Sequence, residues 1–263
     1  MKTVILLSGQ ARSFGGTTPP AYRNGLPNPR LEQPWARGTF LNQRWYLYRL
    51  LDDVEFFCSL ADDEQAREVE PLLLKHYPRE KVHVEIVKQP VLPEPPLEST
   101  YHSAYGITSP FQAILRDLWH RKRVWDFYLS LGKVDADLVV RLRPDLFFQT
   151  VRLTRWPGYG DCLVPFWGNY GGTADRFALL GPRAAGVYFN AFERVDALLA
   201  KGCPMHPETL TDAALYEAGI RVLRTLDTHF ATLRRDGEIV FQRLEESVLG
   251  YLEAGVKAID DTL

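Results

Sequence analysis

The stretch Asp135-Ala-Asp-Leu-Val-Val-Arg-Leu-Arg-Pro-Asp-Leu-Phe-Phe148 decides how the chain is read. Leu138, Val139 and Val140 form a short apolar, β-branched run of the kind that makes a buried strand. Strand period sets the following Arg141, Arg143 and Asp145 on one face and Leu142 on the other. Pro144 has no N–H to donate, so the strand is expected to end near Arg143. In open α/β sheets ligands bind at the carboxyl ends of strands. Two arginines and a carboxylate at such an end suit an anionic ligand, with or without a divalent cation. An Arg–Asp pair that only closes the strand end fits the same residues.

Upstream, Val4 to Leu7 reads as a central strand, with Ser8-Gly9-Gln10-Ala11-Arg12-Ser13 as its exit loop. Gly9 permits close backbone approach and Arg12 suits a phosphate, although the loop matches neither GxGxxG nor the P-loop pattern. Residues 15–38, rich in Gly, Pro, Asn and Arg, predict a long surface loop. A helix is expected over Thr39–Leu51, a strand over Val54–Ser59, a helix over Asp62–His76 and a strand over Val82–Val87. This alternation argues for a parallel, doubly wound sheet. After an irregular connection over 88–105, Ser109 and Pro110 fit the N-cap and first position of a long helix that Gly132 stops. Its Arg116, His120, Arg121, Lys122 and Arg123 read as a solvated face, with an acceptor-binding patch as the sharper alternative.

Downstream, a turn-rich segment (156–160) leads to a short strand, Cys162–Pro165, and a glycine loop from Phe166 to Asp175. Next come a strand over Arg176–Leu180 and a helix from Gly181-Pro182 to about Leu199. Another helix starts at His206-Pro207-Glu208, with Pro207 at its first position and Gly219 as its stop signal. Ile220–Leu226 is strand-like, His229 follows it, and a last helix is expected over Gln242–Ala254.

Composition sets the bounds. At 263 residues, 46% hydrophobic and 24% charged, the chain has ordinary globular usage and enough length for a substantial core. Thirty-one basic residues against 33 acidic ones give a net charge of −2, so no global signal points to nucleic acid. Cys58, Cys162 and Cys203 lack CxxC spacing and read as reduced thiols rather than a disulfide frame or zinc site. The apolar run at the N-terminus is too short for a signal core or a membrane span, and no later run is longer, so a cytoplasmic protein is expected.

The ordered motifs resemble those of GT-A glycosyltransferases, which move a sugar from a nucleotide diphosphate donor. The closest resemblance is to small GT-A-like proteins with an Arg-Pro-Asp motif after a long Trp-rich helix. Their pattern matches Ser8-Gly9-Gln10-Ala11-Arg12, then Trp119, Trp125 and Asp137-Leu-Val-Val-Arg-Leu-Arg-Pro-Asp145, then His206-Pro207-Glu208. The resemblance covers about 3 to 230, and each motif is short. It implies an α/β fold, a GT-A-like (Rossmann-like) mostly parallel sheet flanked by helices. A single domain would span 1–263, with 1–150 as the nucleotide-binding half and 151–263 as the acceptor and catalytic half. Ser8, Gly9, Gln10, Arg12, Arg141, Arg143, Asp145, Gly171 and Gly172 would face the nucleotide-sugar donor. An inverting enzyme needs a carboxylate base for the acceptor hydroxyl; Glu208 is the first candidate and Asp175 the second.

One departure stands out. Arg143 occupies the position where a DxD metal motif has an acid, and Asp135-x-Asp137 lies at the entry end of the strand, where it cannot serve. A divalent cation, Mn²⁺ or Mg²⁺, would then rest on Asp145 and His229 with the donor phosphates. Alternatively Arg143 and Arg12 supply the positive charge themselves. The acceptor is open: a glycan, a lipid-linked saccharide, a protein or a modified nucleic-acid base. A nucleotidyltransferase and a catalytically silent nucleotide- or glycan-binding module are the rival readings.

Overall fold

Short β-branched and aromatic runs build the centre of the sheet. The computed structural model describes residues 1–9, 22–23, 26–27, 35–63, 66–92, 111–132, 135–233 and 239–241. The chain opens with β1 (Thr3–Gly9), a short antiparallel pair, β2 (Tyr22–Arg23) and β3 (Leu26–Pro27), and helix α1 (Trp35–Tyr46). Then follow β4 (Val54–Ala61), α2 (Ala66–Leu74), β5 (Val82–Val87), the 20-residue α3 (Phe111–Ser130), β6 (Leu138–Leu142) and β7 (Leu146–Val151). The second half holds β8 (Asp161–Pro165), β9 (Phe177–Leu180), α4 (Pro182–Phe189), α5 (Val195–Ala200), α6 (Pro207–Glu217), β10 (Arg221–Thr225), β11 (Thr228–Leu233) and β12 (Ile239–Phe241).

The main sheet has seven strands in the order β10-β8-β9-β6-β1-β4-β5. β5, β4, β1 and β6 are mutually parallel, as the alternating pattern predicts. β9 runs antiparallel between β6 and β8, so the sheet is mostly rather than wholly parallel. Every residue of β1, β6, β8 and β9 is buried, the signature of strands covered on both faces. Ile5 and Leu7 pack with Phe40, Leu47 and Leu73 of the α1–α2 layer, while Val4 and Leu6 pack with Val124, Trp125 and Tyr188 of the α3–α4 layer.

Topology fixes where a site can form. From β1 the sheet grows to β4 and β5, and the chain then returns through α3 to place β6 on the other side of β1. At such a switch point the two strand ends diverge into a crevice. Leu7 pairs Leu142 and Leu142 pairs Phe177, so Ser8, Arg143 and Arg176 all lie just past the paired ends at this edge.

Several expectations change. The run from Leu146 forms a second, antiparallel sheet, β12-β11-β7, which sequence reading left unassigned; His229 lies within β11 rather than in a loop after a strand. The helix expected over 182–199 breaks at Asn190–Arg194 into a 3₁₀ turn. Part of the expected 15–38 loop forms the β2–β3 pair and the start of α1. The Ser109–Pro110 helix start and the Gln242–Ala254 helix lie outside the described residues. Cys58, Cys162 and Cys203 are free thiols; the first two are buried. Among the described residues no helix is long and apolar enough to cross a membrane.

Candidate functional site

An ionic network lies at this edge of the sheet. Arg141, fully buried at the end of β6, donates from Nη1 to Ser8 Oγ at 2.6 Å and to the Ser8 carbonyl at 3.3 Å. Its Nε donates to the Asp175 carbonyl at 3.0 Å, and its Nη2 lies 3.6 Å from Asp117 of α3. Arg141 therefore ties β1, β6 and the entry to β9 together. Ser8 and Arg141, both expected at the donor, are buried and bound to each other.

Arg143 has a different posture. The Pro144 turn aims its guanidinium at Asp145, with Nε to Oδ1 at 2.9 Å and Nη2 to Oδ2 at 2.7 Å. Nη1 reaches only to 3.9 Å from Asp175, and the side chain keeps 15% exposure. Burial opposes its charge, but Asp145 and Asp175 outweigh that and hold its pKa above the ordinary arginine value. The turn is clamped from α1 by buried Gln43, whose Nε2 lies 3.2, 3.3 and 3.0 Å from the carbonyls of Arg143, Pro144 and Leu146. Tyr48 fixes that amide by donating to Gln43 Oε1 at 2.6 Å.

Asp175 and Glu208 come together from the glycine loop and from the first turn of α6. Gly172 makes this possible: a Cβ there would stand 2.2 Å from the Glu208 carbonyl oxygen, and the Thr173 N–H donates to that same oxygen at 3.0 Å. Gly172 thus seats the loop on α6. Gly171 (φ +77) has open space where a side chain would be, and Gly9 (φ +113) likewise. Pro207 occupies the first turn of α6 and Gly219 (φ +64) follows its end, as expected.

The two carboxyls are held in opposite states. Burial opposes ionisation of Asp175, but Arg176, Arg143, Arg121 and Arg141 overcome it and lower its pKa to about 2. Burial and then the Asp175 charge push Glu208 up to about 7, against the His206 hydrogen bond. His206 Nδ1 lies 2.9 Å from Glu208 Oε2. A pair of carboxyls with separated pKa values is the arrangement that assigns acid and base roles in many sites.

Arg176 is the residue sequence reading missed. Its Nε lies 3.7 Å from Asp175 Oδ1, its guanidinium sits 5.3 Å over the Tyr170 ring, and its buried Nη1 has no hydrogen-bond partner among the described residues. The only advance signal was its place beside Asp175 at the start of a strand. Behind this layer, α3 contributes Arg121, fully buried, with Nε 3.1 Å from Asp117 and Nη1 donating to Thr211 at 2.9 Å. His120 is also buried, and burial, then Arg141 and Arg116, lower its pKa to about 4. The expected solvated face of α3 is thus partly a buried polar sector. Lys122 pairs with Asp126 and Arg123 with Glu85, as surface charges do.

The expected cation ligands do not converge. His229 pairs Thr150 on β7, four residues beyond Leu146, so it sits on the order of 13 Å along the strand from the Asp145 turn. Its ring stacks on Trp167 instead. Both oxygens of Asp145 are already engaged by Arg143. Among the described residues no group of three His, Cys, Asp or Glu side chains could hold a metal. The residues described do not fit the cation site expected from Asp145 and His229. Asp135 and Asp137 bind Lys2 at the opposite end of the sheet, away from the crevice, as the strand direction requires. Gln10 and Arg12 lie outside the described residues.

Comparison with protein-family models found no match to this chain, and comparison with curated proteins found none.

Proposed function

We propose that the chain is a glycosyltransferase of GT-A type, moving a sugar from a nucleotide diphosphate donor to a hydroxyl acceptor. The observation that carries this reading is the Asp175–Glu208 pair. An ionised carboxylate and a carboxyl with pKa near 7 lie at the carboxyl edge of a doubly wound sheet, beside its switch point. Transfer needs a base that removes the acceptor proton near neutral pH, and a carboxyl tuned to that range serves best. The half-sheet order β5-β4-β1-β6 and the motif order along the chain support the GT-A assignment.

In this reading Glu208 accepts the proton of the acceptor hydroxyl, and His206 orients it. Asp175 keeps Glu208 basic by its charge and holds the arginines in place. A nucleotide-sugar consumption assay, run over several donors with a hydroxyl-acceptor panel, tests the assignment. Turnover that disappears in Glu208→Gln is expected. Turnover equal to wild type in that variant would remove Glu208 as the base.

A further inference from the structure

The glycine loop delivers a cation, Arg176, that helps hold Asp175 ionised and keeps a guanidinium nitrogen to spare. Arg176 and Arg143 flank the Asp175 carboxylate at 3.7 and 3.9 Å, beyond hydrogen-bond reach. Arg143 spends two N–H groups on Asp145, which leaves those on Nη1 and one on Nη2. Among the described residues Arg176 keeps a buried Nη1 with no acceptor, as Arg121 and Arg141 behind it each keep a buried Nη2. Buried donors in a native fold nearly always have partners, so orphaned guanidinium donors at a crevice mark the place of an absent acceptor. Their shape selects for it, since a planar fork matches phosphate oxygens bidentately.

We propose that Arg143 and Arg176 form a diphosphate-binding pair that meets the leaving-group charge without a divalent cation. The inference rests on the glycosyltransferase reading for the identity of the ligand and on the geometry for its chemistry. Asp145 is a positioning residue that fixes the Arg143 fork. Tyr170 does the same for Arg176 through its ring face. Arg121, Arg141, Arg143 and Arg176 face Asp117, Asp145, Asp175 and Glu208, and the last is partly protonated at neutral pH. In the transfer step the anomeric C–O bond breaks and its electron pair stays on the diphosphate oxygen, which the two guanidinium groups neutralise. The new bond forms to the acceptor oxygen, whose proton passes to Glu208.

Thermal-shift titration of the full chain with inorganic pyrophosphate in excess EDTA tests the pair. Sulfate at equal ionic strength is the control. A rise in Tm with pyrophosphate beyond that of sulfate is expected, with binding weakened at least tenfold in Arg176→Ala and only partly restored in Arg176→Lys, which keeps charge but loses the fork. Stabilisation that needs added Mn²⁺ or Mg²⁺, or that Arg176→Ala retains in full, overturns the proposal, as does no stabilisation beyond sulfate. The two readings fail separately. Metal-free pyrophosphate binding without nucleotide-sugar turnover leaves the pair standing and sinks the transferase. Turnover that depends on a divalent cation does the reverse.

Discussion

Glu208 carries the sharpest consequence of burial at the residue scale. Its folded pKa, near 7, exceeds the ordinary carboxyl value of 4.5, so the folded state binds a proton more tightly than the unfolded chain. That preference stabilises the fold fully below about pH 4.5 and is lost as pH rises through about 7. Glu208→Gln removes the ionisation and is therefore expected to be more stable than wild type above pH 7, by roughly 1–3 kcal/mol. The same variant loses activity on the order of 10²- to 10⁴-fold. Thermal denaturation of both proteins from pH 5 to 8.5 checks the sign, and a wild-type advantage that grows with pH would contradict it. Asp175 sets the other half of the pair. Because its charge raises Glu208, Asp175→Asn is expected to move the acid limb of the pH–rate profile to lower pH. An unmoved limb means that burial alone tunes Glu208. His206, on the same carboxyl, shows the limit of sequence reading at this scale: its position as helix N-cap was legible, its contact with Glu208 was not.

Elements meet at two small devices, and each predicts a defect larger than its residue. Gly172→Ala drives a methyl group into the Glu208 carbonyl, so the loop or α6 must shift, with a cost of roughly 1–3 kcal/mol. Because the carbonyl belongs to Glu208 itself, activity should fall further than stability does. Comparing the urea midpoint with turnover of the folded fraction separates the two effects. Gln43→Ala leaves the carbonyls at 143, 144 and 146 without their amide and Tyr48 without its acceptor, which costs about 1–3 kcal/mol. Its expected signature is a lower urea midpoint with an unchanged slope. What the sequence shows at this scale follows from physics that repeats locally. β1, β4 and β6 were legible because buried parallel strands are largely continuous apolar runs, β5 because Val82, Val84 and Ile86 alternate with polar residues, and α6 because Pro207 and Gly219 bracket it. β7 and β11 were hidden, since Phe147 and Thr150 mix polarity in a pairing that only tertiary contact decides. The burial of the α3 cations is hidden for a related reason: Asp117 and Arg121, one turn apart, look like an exposed ion pair, and only packing against Thr211 and Tyr188 buries them.

At the scale of the whole molecule, the site is also the place where the two halves of the sequence are joined. β6 hydrogen-bonds to β1 on one side and β9 on the other, and Arg141 spans the same junction from Ser8 to the Asp175 carbonyl. A sheet edge built this way cannot open without loosening the central sheet. Two consequences can be measured together. Arg141→Met removes a fully buried guanidinium that neutralises Asp117 and satisfies Ser8, so it should destabilise by roughly 3–5 kcal/mol. In hydrogen exchange, the loss should appear equally in β1, β6 and β9, because strands joined in one ladder share one opening. Protection lost in β8 to β10 while β1 and β4 stay closed would mean that 1–150 and 151–263 unfold as separate units, and that the arginine is a local cap on one strand end. Equal loss means that the residue first legible as an anion ligand is instead the bolt of the sheet, and that the freedom to meet a ligand falls to its neighbours, Arg143 and Arg176.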